Sequence, residues 1–198
     1  MRKVITAAAV AALVAAPAAV AAPGPNANAN QHATAKTCSN MKAQVGKRNF
    51  NALFAPKTQN ARAALRNCAR SESDAQQSAR ANAAQLCKTW AAGEDKAGFE
   101  ERFGTGMAFA MKFQGPNAHG KCVSTVARML NQERREAMVN AAKTCAPGRT
   151  NADYVFPAVP GTDLEGKQFK TVFGSGNNAY GKCVSTVAKA KQTQTTTP

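Results

Sequence analysis

Residues 117–127 read NAHGKCVSTVA and residues 178–188 read NAYGKCVSTVA, ten identities in eleven positions at a spacing of 61. A match of that length is an internal repeat. Each copy carries one cysteine, Cys122 and Cys183. The remaining four also have related surroundings. Ala35-Lys36-Thr37-Cys38 recurs as Ala142-Lys143-Thr144-Cys145, Cys87 follows an Ala-rich run, and Cys68 sits in Asn67-Cys68-Ala69. Between the first and second cysteine of each of three Cys…Cys units (38–68, 87–122 and 145–183) lies a Phe pair at i, i+4: Phe50/Phe54, Phe99/Phe103 and Phe169/Phe173. The order Cys, Phe-x-x-x-Phe, Cys thus occurs three times, with the first copy the most diverged.

The segments joining these units read as long helices. Residues 122–145 contain neither Gly nor Pro and place Val123, Val126, Ala127, Leu130, Ala137, Met138, Ala141 and Cys145 on one face. Arg134 falls on that stripe and is expected to snorkel outward. Residues 69–86 are helical by propensity, with alanine supplying most apolar positions. Asn117 and Asn178 stand where N-caps belong. The Phe pairs fit short helices, one opened by Gly93-Glu94-Asp95 and closed by Gly104. Residues 155–161, VFPAVPG, are too proline-rich for helix and read as an extended loop.

Helix length constrains the disulfides. Six cysteines allow 15 pairings. A helix from Cys68 to Cys87 spans about 28 Å and one from Cys122 to Cys145 about 34 Å, whereas bonded cysteines have Cα atoms within about 7 Å. Several pairings survive that exclusion. Only Cys38–Cys68, Cys87–Cys122 and Cys145–Cys183 treats the three copies alike, and it is the expected set.

Composition says why such bonds are needed. Of 198 residues, 43 are alanine, and the chain carries a formal charge of +15. Residues 1–21 read as a signal peptide: Arg2 and Lys3, an apolar run, then Ala19-Val20-Ala21 as the cleavage site. Its loss lowers the charge to +13 and leaves 177 residues holding nine Val, five Leu, nine Phe and no Ile. Those 23 large side chains are about 13%, below the ~20% at which high charge points to disorder. Burial alone cannot offset the chain entropy. An exported, oxidised protein with covalent staples resolves the conflict. After the leader, no apolar stretch approaches the length needed to span a bilayer.

The NAxGKCVS stretch, the preceding Phe-x-x-x-Phe-Gly and the Ala/Lys-rich helices resemble an uncharacterised family of exported proteins from high-GC Gram-positive bacteria. That family carries tandem copies of such a motif. The likeness covers residues 85–190 closely and 36–84 loosely. It implies export and repetition and assigns no site residues.

The expected organisation is a signal peptide (1–21), a disordered linker (22–35), a diverged first repeat (36–84), second (85–142) and third (143–191) repeats, and a disordered tail (192–198). The fold class is an all-α, disulfide-stapled helical repeat array with long helices joined by Phe-bearing loops and short helices.

Charge is segregated along the chain. Residues 22–71 carry Lys36, Lys42, Lys47, Arg48, Lys57, Arg62, Arg66 and Arg70 and no acid. Such a block suits anionic cell-envelope polymers or other polyanions, which outside a bacterium means teichoic acid, anionic lipid headgroups, extracellular DNA or acidic polysaccharide; a solvated basic surface that maintains solubility is the alternative. Sparse aromatic interleaving and the lack of finger or RNP motifs argue against base-specific nucleic-acid recognition. Catalytic signals are weak. His119 is Tyr180 in the matching copy, Ser124 and Ser185 lack nucleophile-elbow glycines, and Glu94/Asp95 and Glu100/Glu101 have no counterparts in the other copies. The cysteines are not spaced for metal, and no cofactor is expected. Residues 107–113, MAFAMKF, read as core, with a docking patch as the alternative. The expected function is a non-enzymatic structural or adhesive module binding anionic polymers. A secreted enzyme acting on envelope glycans and a helical protein–protein interaction module are the alternatives.

Overall fold

The repeated NAxGKCVSTVA stretch opens a long helix in both places. The computed structural model describes the backbone of residues 27–194 and the side chains of residues 33–192; the expected signal peptide lies outside the described residues. Among these, the chain forms α1 (Ala27–Val45), α2 (Lys47–Phe54), α3 (Ala61–Ala91), α4 (Lys96–Phe103), α5 (Phe109–Lys112), α6 (Ala118–Thr150), α7 (Phe169–Phe173) and α8 (Ala179–Gln194). No strand occurs among the described residues, only a single antiparallel bridge, Val155 to Gln168.

Four long helices run back and forth, with α6 central. It packs along α3 on one side and α8 on the other, while α1 rests on α3 and α6. A disulfide closes each reversal: Cys38–Cys68, Cys87–Cys122 and Cys145–Cys183, each with Cα atoms 6.0 Å apart. This is the pairing expected from the order of cysteines and Phe pairs along the sequence. The closed loops span 30, 35 and 38 residues, so the chain-entropy argument assigns each bond about 3.5–4 kcal/mol.

The short helices lie inside these loops, as the Phe spacing predicts. α2, α4 and α7 hold Phe50/Phe54, Phe99/Phe103 and Phe169/Phe173 with ring centroids 4.9, 4.8 and 5.4 Å apart. The helix ends follow local chemistry. Asn60 Oδ1 accepts from the amides of Arg62 and Ala63 at 2.9 and 3.2 Å, capping α3. Asp95 Oδ1 caps α4 through Gly98 N at 3.0 Å, and Gly104 ends it at φ +110°, a region that glycine tolerates. Residues 155–161 are non-helical, and Phe156 exchanges backbone bonds of 3.0 Å with Lys167 and Gly166.

Two apolar clusters result. The larger holds the first and third disulfides with Phe50, Phe156, Leu164, Phe169, Phe173, Val184 and Val187. The smaller surrounds Cys87–Cys122 with Trp90, Phe99, Phe113 and Val126. Buried alanines on α3 and α6 (Ala64, Ala83, Ala127, Ala141, Ala142) allow the helices to approach closely. Phe113 is buried and Phe109 half-buried against Phe99 and Phe113, so the two aromatic residues of MAFAMKF, with Met107, pack into the core. Met111 points outward, 62% exposed, and Ala108, Ala110 and Lys112 are exposed as well.

Four expectations are corrected. The linker expected over 22–35 is helical from Ala27 onward, where Thr34 and Cys38, one turn apart, are both buried. The tail expected from residue 192 is helical to Gln194. Asn117 stands at the N-cap of α6 but its side chain caps no amide; its carbonyl accepts from Lys121 N at 2.9 Å. Arg134 does not snorkel. It turns inward to a buried carboxylate, Glu72. In addition, α6 passes through Pro147 and ends three residues later.

Candidate anion-binding surface

The eight basic residues expected to bind polyanions lie around the first disulfide. Lys36 and Lys42 are on α1, Lys47 and Arg48 on α2, Lys57 in the α2–α3 loop, and Arg62, Arg66 and Arg70 on α3. Seven are exposed and Lys42 is half-buried. The three arginines, at i, i+4 and i+8, share one stripe of α3. None of the eight forms an ion pair among the described residues. They form a distributed basic surface, and none of them lines the grooves along α6.

A denser cationic feature escaped the sequence. Between α3 and α6 lies a groove of about 780 Å³, lined by Arg80 from α3 and by His119, Arg128 and Arg135 from α6. No carboxylate lines it. A neighbouring groove of about 410 Å³, between α1 and α6, shares Arg128 and Arg135 and contains one acid, Glu136. Arg128 Nε donates to the Ser124 carbonyl at 3.3 Å. Arg135 is held more firmly, with Nε to the Asn131 carbonyl at 3.1 Å and a terminal nitrogen to Thr37 Oγ1 at 3.4 Å. Its Nε lies 3.7 Å from Glu72 Oε2. The available signal was periodicity: Gln76, Arg80 and Ala84 share a face of α3, and Gly120, Ser124 and Arg128 a face of α6. Reading it required knowing that those faces meet.

Several acids serve structure. Asp95 accepts from Trp90 Nε1 at 2.9 Å as well as capping α4. Glu100 accepts from Gly106 N at 3.2 Å and pairs with Lys96 at 3.6 Å. Glu133 takes a bond of 2.8 Å from Arg102. Asp163 accepts from Lys167 Nζ at 2.6 Å, and that bond and charge hold its carboxyl below the usual range. His119, Ser124 and Ser185 are exposed. Tyr180, which replaces His119 in the matching copy, is buried and donates to the Ala142 carbonyl at 3.0 Å; burial pushes its phenol well above the ordinary range, against a smaller opposing effect from Arg149.

Among the described residues, no three His, Cys, Asp or Glu side chains converge as metal ligands, and no helix is long and apolar enough to cross a membrane. No protein-family model matches the chain, and searches of curated proteins and of solved structures returned no similar protein.

Proposed function

We propose that this is an exported, non-enzymatic structural or adhesive module, built from three copies of one stapled helical unit, that associates with anionic envelope or extracellular polymers. The observation that carries this reading is an asymmetry in how charge is used. Glu72, Glu100, Glu133 and Asp163 are engaged in ion pairs within the fold. The eight basic residues around the first disulfide are in none. Four of the eleven carboxylates are thus paired within the fold, while this block of eight cations, seven of them exposed, has no acid among it and is left to solvent, where a polyanion releases counterions on binding.

Export is supported by the leader-like residues 1–21 and by three disulfides, which persist in oxidising compartments. The repeat reading is supported by the recurrence of a short Phe-bearing helix inside each disulfide loop. Structural use of Asp95 and Glu100 speaks against the glycan-cleaving alternative, since neither is left as a poised acid or base. The experiment is a salt titration of the mature, oxidised protein on isolated envelopes. Affinity should fall linearly on a log–log scale as salt rises. No binding at low salt ends the reading, and salt-resistant binding points to a protein partner instead.

A further inference from the structure

The basic surface around the first disulfide would attract any polyanion; the α3–α6 groove is more selective. It carries three guanidiniums and one imidazole with no carboxylate. Arg80 makes no hydrogen bond or ion pair among the described residues, and Arg128 is bonded only through Nε to its own helix. Their terminal N–H groups are therefore open to a ligand. Arg135 is fixed by Thr37, by the Asn131 carbonyl and by the nearby Glu72 carboxylate, so its position is set before anything binds.

Residue type narrows the ligand. Lysines outnumber arginines by 15 to 11 in the chain, yet the groove contains arginine and no lysine. The planar guanidinium fork matches paired anionic oxygens, where an ammonium acts as a point charge. Arg128 and Arg135 stand seven residues apart on α6, about 10 Å along the axis, and both also line the α1–α6 groove. Cations repeating along a track fit a chain with repeating anions better than one small ion. Gln76 and Ser124, uncharged groups that can both donate and accept, lie among the cations and suit hydroxyls set between anionic groups.

We propose that the α3–α6 groove is a binding site for a phosphodiester-linked polyol chain, gripped by Arg80 and Arg128 and oriented by Arg135. The proposal rests on the polyanion reading and specifies where and what it binds.

The test uses the mature, disulfide-intact protein with a short poly(glycerol phosphate) oligomer and, at matched charge, a polygalacturonate oligomer. Three double variants are compared: Arg80→Gln/Arg128→Gln, Arg80→Lys/Arg128→Lys and Arg62→Gln/Arg66→Gln. All four positions are exposed, and an unchanged melting midpoint confirms folding. The groove glutamine pair should weaken phosphodiester binding at least tenfold, against two- to threefold for the distant pair. The lysine pair, which preserves charge, should still lose several-fold. Equal losses at the two sites overturn the groove while sparing the general reading. Full retention by the lysine pair, or equal affinity for polygalacturonate, overturns phosphodiester selection. Wild-type protein that binds neither oligomer at low salt removes both.

Discussion

Arg134 of α6 donates to Oε1 of Glu72 on α3, a carboxylate whose side chain is only 1% exposed. The two stand 62 residues apart in sequence, and Arg135 approaches the other oxygen from the next position. Glu72, Asn131 and Arg134 therefore introduce polar groups into the α3–α6 contact. Removing one partner of a buried pair is costly because the other charge is left unmatched. Glu72→Gln should lower stability by about 3 kcal/mol. The double variant Glu72→Met/Arg134→Met should recover most of that loss. Urea unfolding of the three proteins checks both statements, and an unaffected Glu72→Gln would show that the pair contributes nothing.

Gly148 sets two effects against each other. It lies within α6, where alanine is intrinsically better by about 1 kcal/mol. A Cβ there, however, would overlap the ring of Phe169, which packs directly on this position. Gly148→Ala should consequently destabilise by about 1–3 kcal/mol through overpacking, and Phe169→Leu in the same chain should relieve part of it. A rise in melting temperature for Gly148→Ala alone would mean that the contact is loose.

Tyr180 gives the fold an alkaline weakness. Its phenol is kept protonated by burial, whereas in the unfolded chain it ionises near ~10. Above that pH the unfolded state holds fewer protons than the folded state, so stability falls as pH rises. The contribution is intact below ~10 and is lost progressively above it. Tyr180→Phe should flatten this dependence while costing about 1 kcal/mol at neutral pH for the bond to Ala142. Denaturation midpoints between neutral pH and pH ~11 measure it, and identical slopes in the two proteins would exclude the effect.

Asp95 serves Trp90 and α4 together. Asp95→Ala removes a cap worth about 1 kcal/mol and a side-chain bond of similar value. The expected loss is about 2 kcal/mol, with a shift in Trp90 emission. Glu94→Ala, at an exposed neighbour, should change stability by less than about 0.5 kcal/mol. Chemical denaturation of the pair of variants decides, and equal effects would discard the assignment.

Repetition made part of this fold legible. Once the surroundings of Cys122 and Cys183 are seen to match, the three Phe pairs fall into place and the symmetric disulfide set follows. What stayed hidden is non-local. Glu72 stands in a polar, Ala-rich helix with no neighbour to mark it as buried, and Arg134 looks like an interruption of an apolar stripe. Their pairing depends on the register of α3 against α6. The groove arginines were obscured for the same reason, since Arg80 and Arg128 belong to different helices. At the N-terminal end, low complexity suggested a linker, yet Thr34 is buried one turn before Cys38 and α1 extends past both.

Three disulfides supply the stability that so few large side chains cannot. Trp90, the sole tryptophan, sits in the smaller cluster beside Cys87–Cys122, while the first and third bonds share the larger one. Their contribution is tested by urea unfolding of residues 22–198, oxidised and fully reduced, followed by Trp90 fluorescence and near-ultraviolet circular dichroism. The reduced protein should lose its near-ultraviolet signal, and its Trp90 emission should shift to the red, before any denaturant is added. A reduced protein that keeps both and unfolds cooperatively at a similar urea concentration would contradict it.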